Sequence, residues 1–558
     1  MKLSKDRVKP GKAGFDRPEV LFPQPGKTPR EDTAAVMKFY KLAKDFPAAV
    51  IAEARRVAAE VDDTAGRRDL RGKFIFTCDP ESARDFDDAI SIETDRKGNR
   101  VLGVHIADVS HFVRPGSALD REAYRRSTSV YLCDRVIPML PEQLSNGVCS
   151  LVPGEDRLAF SAFITFDRDG EPVKREFAKS VIRSKVRFTY EEVMAVIAGG
   201  KRKPGISQKA VKAIRETHAL AQQLRTKRFA AGALDLEGPE AEVRLDDAGE
   251  MAGIDIRPYD ESHQMIEECM VAANEAVAKE LWTKGVKILA RLHEAPDPEK
   301  LLLLRSELRA LDVKLGDIGK PRVFAQFLRS IKRHPLYPTI AVMILRSMKR
   351  AVYDSTAIGH FGLAKKYYAH FTSPIRRYPD LTLHRQLAAY LADGGAGGTR
   401  APTSCKVPPR LLARWAEHTS EMEEVAAEAE RALTEIKKYR LLEAELNAHE
   451  CVTYDAVISK CTPFGCFVEI PSLAVSGLVH VSLLSHDFVR FNESDQSLSA
   501  GGRRSWRIGE TMKVRVTRVD YRERRLDFAP ADEGRSPRDV RRDRSYGIRK
   551  SHFHGKGR

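Results

Sequence analysis

Four aspartates, Asp79, Asp85, Asp87 and Asp88, stand close together in the segment DPESARDFDD. Short apolar runs bracket them, KFIFTC before and AISIE after, so a hydrophobic frame holds the carboxylates near one another. Unit charges about 4 Å apart repel by roughly 4 kcal/mol at an effective dielectric near 20, and packed carboxylates therefore need a cation or protons to coexist. All-oxygen ligands suit Mg²⁺, with Mn²⁺ as a substitute, whereas zinc would call for His or Cys. An EF-hand is excluded: counted from Asp85, Ala89 falls where a third oxygen is required, and the tight-turn glycine is missing. Taken alone, the cluster is equally consistent with a solvated acidic loop.

A second segment, HFTSPIRRYPD at 370–380, brings positive charge. Ser373 reads as a helix N-cap with Pro374 at the first helical position, an arrangement that presents backbone N–H groups and Arg376 to a phosphate. Carboxylate-bound metal together with arginine is the apparatus of phosphoryl transfer. The two segments jointly favour phosphodiester chemistry over a bare acidic loop. No Walker-type glycine loop ending in Lys-Ser/Thr is present, which argues against an ATP-driven helicase.

The rest of the chain must position these groups. Its 558 residues exceed one ordinary core, and 94 Lys+Arg against 78 Asp+Glu give a formal charge of +16. That balance favours a polyanionic partner, with RNA, DNA and acidic membranes all open. The N-terminal MKLSKDRVKPGKAG lacks the apolar stretch of a secretory signal, and no apolar run approaches the roughly 20 residues of a membrane helix, so a cytoplasmic location is expected. The eight cysteines are scattered; even Cys461 and Cys466 miss a zinc-site spacing and read as reduced thiols.

Residues 1–33 read as a flexible basic arm and 34–70 as a helical segment in two pieces, Pro47 starting the second. Residues 71–448 alternate β-rich runs, expected to be antiparallel, with helical stretches at 190–228, 261–284 and 297–391, giving an α+β body. The Gly-rich stretch 392–404 reads as a surface loop and 410–448 as a long charged helix packed on the body. A β-rich module follows at 451–530, and a basic tail at 531–558 is expected to order only on RNA.

At this point several long motifs in order, DPESARDFDDAIS, HIADVSHFV, IPMLPEQLSNGVCSL, MIEECMVAAN and HFTSPIRRYPDLTLHRQL, resemble the RNB catalytic domain of the ribonuclease II/ribonuclease R family over about 70–448. The resemblance implies a processive, hydrolytic 3′-to-5′ exoribonuclease that releases nucleoside 5′-monophosphates and threads single-stranded RNA to a buried two-metal site. Carried over by motif, Asp79, Asp85, Asp87 and Asp88 fall on the metal carboxylates, with Asp87 the least expendable, and Arg376 falls beside the scissile phosphate. By the same alignment Tyr190 packs on the terminal base, Tyr131 stacks another, Glu267 senses ribose and Glu430 lines the tunnel. Bottom-up, the tyrosines also suit half-buried packing and the glutamates a solvated helix face. Two departures stand out: Leu236 occupies the place of a second stacking aromatic, and only residues 1–70 precede the domain, leaving no room for the family's paired cold-shock domains.

The module at 451–530 resembles an S1 RNA-binding domain, a five-stranded OB-fold barrel. Phe464, Phe467 and His480 would lie on its base-stacking face, with Lys513 and Arg515 adding positive field, although Phe467 equally suits the barrel core. The implied partner is single-stranded RNA held by its 3′ end. Structured RNA and proteins of RNA degradation or the ribosome are further candidates, and a monomer is expected. Two rivals remain at this stage: a non-catalytic RNA-binding or scaffolding protein with an RNB fold, and a deoxyribonuclease of similar chemistry.

Overall fold

The computed structural model describes residues 22–60, 64–200, 205–235, 240–316, 320–334, 336–392, 406–448, 452–485, 487–493, 495–501 and 504–531. At its centre is a seven-stranded sheet in the spatial order Arg68–Asp69, Pro172–Arg183, Asp156–Phe166, Arg100–Ala107, Asp88–Thr94, Phe76–Cys78, Val186–Phe188. The inner strands pair antiparallel, as the turn-separated β-rich runs imply, while the short edge strands add parallel pairings of Arg68 with Ser180 and Phe76 with Val186.

Both sheet faces are covered, which is why Asp156–Phe166 is buried along most of its length instead of on alternate residues. One face sets Phe76, Ile90, Val104, Phe160 and Ile164 against helices Tyr190–Ile197, Gln208–Ala231 and Glu261–Thr283. The other sets Ala89, Ala107, Phe163 and Val181 against Ala48–Ala59 and Ala118–Arg126. Helix Tyr378–Ala392 belongs to both cores: Tyr378 and Leu381 pack with the second cluster, Leu383, Leu387 and Tyr390 with the first. Its N-terminus is thereby fixed at the edge of the acidic loop. Helix Gln208–Ala231 stops at Gly232, whose φ of 111° is left-handed and whose missing Cβ lets Pro321 and Arg322 approach closely.

Pro47 caps helix Ala48–Ala59 as expected, but the reading of 1–33 as a flexible arm is corrected from residue 22 onward. Phe22 is buried with Val36 against Ala429, Leu433 and Ile436 of the long helix Pro409–Asn447, and Asp32 is fully enclosed. A single aromatic and one buried acid suffice to hold a segment whose composition is otherwise basic and polar. Residues 1–21, the Gly-rich stretch from 393 to 405 and the tail from 532 lie outside the described residues.

The long helix continues into the C-terminal module, where Tyr439 and Leu442 join the barrel core. The barrel closes through Tyr454–Thr462, Gly465–Ile470, Val475–His480, Arg525–Pro530 and Thr511–Asp520, with a three-stranded sheet inserted over Val489–Asn492, Ser497–Ala500 and Arg504–Trp506. A hairpin of Glu240–Leu245 and Met251–Arg257, not anticipated from the sequence, packs Val243 and Met251 onto the same core. Among the described residues no helix is long and apolar enough to cross a membrane.

Candidate active site and nucleic-acid groove

The acidic loop runs from the end of Phe76–Cys78 to the start of Asp88–Thr94. Its backbone is pinned throughout: the Asp79 N–H donates to Phe188 (3.1 Å), the Ala107 N–H to the Asp87 carbonyl (2.9 Å) and the Leu151 N–H to the Phe86 carbonyl (3.0 Å). Ser150 Oγ accepts from the Phe86 N–H at 3.0 Å and donates to the Arg84 carbonyl at 2.7 Å. Arg187 Nη2 donates to the carbonyls of Pro80 (2.6 Å) and Glu81 (2.8 Å), and its guanidinium lies 5.2 Å from the Phe86 ring centre. Such a loop cannot relax its charges apart by moving.

The electrostatics record that constraint. Burial, reinforced by Asp88, pushes the Asp79 carboxyl up to about 8. Burial raises Asp88 to about 6, against the lowering pull of Arg376 and Arg377. Asp87, only 5% exposed, is raised well above the usual carboxylate range by burial, opposed by Arg376 and the Ile375 N–H and reinforced by Asp85 and Asp88. Asp79 Oδ2 and the neighbouring Thr77 hydroxyl are buried without a partner in good hydrogen-bonding geometry. An all-oxygen donor set with surplus buried negative charge and an orphaned carboxylate oxygen fits a hard divalent cation. Among the described residues, though, no three His, Cys, Asp or Glu side chains converge into a ready-made cage.

Asp87 and Arg376, far apart in sequence, meet here. Asp87 Oδ1 accepts the Ile375 N–H at 2.9 Å, and Arg376 Nε stands 3.8 Å from Asp87 Oδ2. The expected helix capped by Ser373 is not formed. Residues 374–376 are a turn, and the helix begins at Tyr378: Asp87 takes the Ile375 N–H that a Ser373 cap would accept, the Arg376 N–H goes to the Ser373 carbonyl (3.4 Å), and Ser373 Oγ accepts from Arg376 Nη2 (3.1 Å) instead. The phosphate-facing group that remains is Arg376 itself, with a side chain 43% exposed.

The other expected contacts fall into place unevenly. Tyr131, on the short strand Val130–Leu132, is 42% exposed, and its hydroxyl feels the charges of Arg376, Asp85 and Asp87. Glu430 is no solvated helix residue: its Oε1 accepts the Tyr131 N–H at 2.8 Å and fixes that strand. Tyr190 follows the N-cap Thr189 and stacks on His263 with ring centres 3.9 Å apart and planes at 14°. Glu267 has both oxygens engaged, one by Arg228 Nη2 at 2.8 Å and the other by the Tyr259 hydroxyl, so its carboxylate is already committed within the protein. Leu236 lies outside the described residues.

In the barrel, Phe464, Phe467 and His480 line one groove, with Phe464 and Phe467 edge to face at 6.0 Å. Lys513 and Arg515 do not line it. On strand Thr511–Asp520 they pair with Asp455 and Ala529, toward the start of the strand, whereas Arg518, kept on the same outward face by the register shift after Val516, pairs with Asp527 and lines the groove. Arg490, Arg524, Arg525 and the 85% exposed Phe488 complete the lining. The signal for part of this was present in the run RVDYRERR, where arginines cluster at the hairpin after the bulge.

Residues 67–393 match the RNB domain and residues 452–529 the S1 RNA binding domain. Ribonuclease R of Thermotoga maritima is 40% identical over 92% of this chain and 74% of its own length; that of Escherichia coli is 38% identical over 89% of this chain but 61% of its own. The chain thus spans less than two thirds of the latter. Among solved structures, Mycoplasma genitalium RNase R in complex with ribose methylated single-stranded RNA superposes with a TM-score of 0.81 at 27% identity, covering 90% of this chain and 78% of that one. Yeast Ssd1, a pseudonuclease, shares the fold at a TM-score of 0.68 and 19% identity, over 85% of this chain and 58% of its own.

Proposed function

The chain belongs to the RNB-domain exoribonuclease family, and from that premise we propose that it is a processive, hydrolytic 3′-to-5′ exoribonuclease of the cytoplasm, requiring Mg²⁺ and releasing nucleoside 5′-monophosphates. The observation that carries the reading is the meeting of Asp87 with residues 375 and 376: a buried carboxylate, an N–H at 2.9 Å and a half-exposed guanidinium at 3.8 Å. Asp79, Asp85, Asp87 and Asp88 would hold the divalent cation. When bound, it supplies positive charge at the reacting phosphate and lowers the pKa of water. Arg376 binds a non-bridging phosphate oxygen and offsets charge developing on it. The exposed face of Tyr131 and the His263-backed ring of Tyr190 stack bases and orient the 3′ end. Phe464, Phe467 and His480, with Arg490 and Arg525, hold the strand upstream.

A time course on 5′-labelled single-stranded RNA, with matched DNA and with EDTA, tests the reading. We expect the 5′ label to persist on ever-shorter RNA, ending in a short oligonucleotide, with EDTA stopping the reaction and DNA resisting it. Internal fragments, indifference to EDTA or preference for DNA would each refute it. A non-catalytic role is disfavoured by the intact set of four aspartates and Arg376.

The carboxylates also set a pH dependence. In the metal-free protein Asp79 and Asp88 titrate near 8 and 6 against a reference of 3.8, so the folded state binds more protons than the unfolded one in that interval. Stability should therefore fall as pH rises from about 4 to about 8. Mg²⁺ should restore it more at about pH 8 than at about pH 5, where protons compete for the same oxygens. Melting curves in EDTA and in Mg²⁺ across that range check both signs.

A further inference from the structure

Arg376 is held in an unusual way for a residue that must meet a phosphate accurately. Its side chain is 43% exposed, and its hydrogen-bond contact is a donation from Nη2 to Ser373 Oγ at 3.1 Å. Side-chain packing therefore does little to place it. Its backbone, by contrast, is fixed: the Arg376 carbonyl accepts from the Ser129 N–H (3.0 Å) and Thr128 Oγ1 (3.2 Å), and the flanking Ile375 N–H is the one bonded to Asp87.

Both ends of the turn 373–377 converge on one carboxylate. Asp380, with no exposed surface, accepts the Ser373 N–H (2.8 Å) and Arg377 Nη2 (2.8 Å) on Oδ1 and Arg377 Nε (3.0 Å) on Oδ2. An acidic residue in the first turn of a helix is ordinary, but it usually serves the helix's own amides. Here one bond reaches back across the turn to Ser373 and the other two grip the side chain of Arg377. The carboxylate is spent on closing the turn.

We propose that Asp380 is a positioning residue for the reaction: by clamping 373 to 377 it fixes where Arg376 stands relative to Asp87. The inference rests on the nuclease reading of the site. Asp380 and Arg377 touch neither substrate nor cation; they act through Arg376. Misplacing a reacting group by about 1 Å costs about 10²-fold in rate, so an opened clamp should lower kcat by that order without weakening RNA binding.

The experiment is a double-mutant cycle on the full chain, using single-turnover cleavage of single-stranded RNA and RNA affinity in EDTA. Asp380→Asn keeps the side-chain volume but cannot accept all three bonds. In the wild-type background it should lower the rate about 10²-fold with RNA affinity held within about twofold. In an Arg376→Ala background the same change should cost less than about threefold, because the group being positioned is gone. Equal losses in both backgrounds, or a wild-type rate for Asp380→Asn alone, would overturn the proposal. If Asp380→Asn does not fold, Arg377→Gln opens the clamp from its other end and must show the same non-additivity. Absence of cleavage by the wild-type chain would instead defeat the nuclease reading, and the clamp with it.

Discussion

Replacing Asp87 by asparagine is expected to remove RNA cleavage, by at least about 10²–10³-fold in kcat, while leaving RNA affinity and fold intact. The reason lies in what an amide keeps and what it loses. Its oxygen can still accept the Ile375 N–H, so the 373–377 turn should stay docked. The negative charge disappears, and with it the attraction for a cation and the partner of Arg376. Because Asp87 is almost fully buried and its ionisation is opposed by that burial, the neutral variant should melt at or above the wild-type temperature without metal. Falling activity together with a maintained or raised Tm separates this from ordinary damage to the core. Measuring single-turnover cleavage, RNA affinity and melting on one preparation decides it; wild-type turnover would remove the acidic loop from the chemistry.

The acidic loop was legible in the sequence because its meaning is local: four carboxylates at short spacing between apolar runs. Arg376 was legible as a phosphate-facing group from its own segment, but its meeting with the acidic loop was legible only through the family motifs, since nothing short of the sheet topology says that the start of helix Tyr378–Ala392 meets the end of Phe76–Cys78. The Ser373 cap failed for a similar reason. Local propensity favours it, but the distant Asp87 takes the Ile375 N–H and the Arg376 side chain takes the Ser373 hydroxyl. Lys513 and Arg515 lie on the outward face as alternation suggests, but the groove opens farther along the strand, where the shift after Val516 keeps Arg518 on that face opposite Asp527, and sequence alone does not say which end of a strand a groove occupies. Glu430 looked solvated on a helix rich in charge, yet its partner is a backbone amide on a hairpin hundreds of residues earlier, which composition cannot reveal.

Residues 22–39 supply the other large expected effect. Asp32 accepts from Lys437 Nζ at 3.0 Å, Arg440 Nε at 2.7 Å and Arg440 Nη2 at 2.8 Å, and also takes the Gly26 N–H at 2.9 Å. Neither Asp32 nor Lys437 has appreciable contact with water. Asp32→Ala therefore strands a buried ammonium, and breaking a buried pair in this way costs about 3–5 kcal/mol. The strain need not unfold the whole chain, because the cheapest relief is to lift 22–39 off helix Pro409–Asn447 and let water reach Lys437. Hydrogen exchange and limited proteolysis should accordingly show 22–39 opening well below the main melting transition. The consequence reaches the site: Phe22 and Val36 share a cluster with Val130, Leu132 and Ile137, the hairpin that carries Tyr131. RNA affinity should fall with the loss of the segment, and replacing Asp32, Lys437 and Arg440 together by leucine or methionine should recover stability, since an apolar set leaves no charge to strand. Unchanged exchange protection over 22–39 in Asp32→Ala would mean that the apolar contacts of Phe22 and Val36 hold the segment without the ion pair.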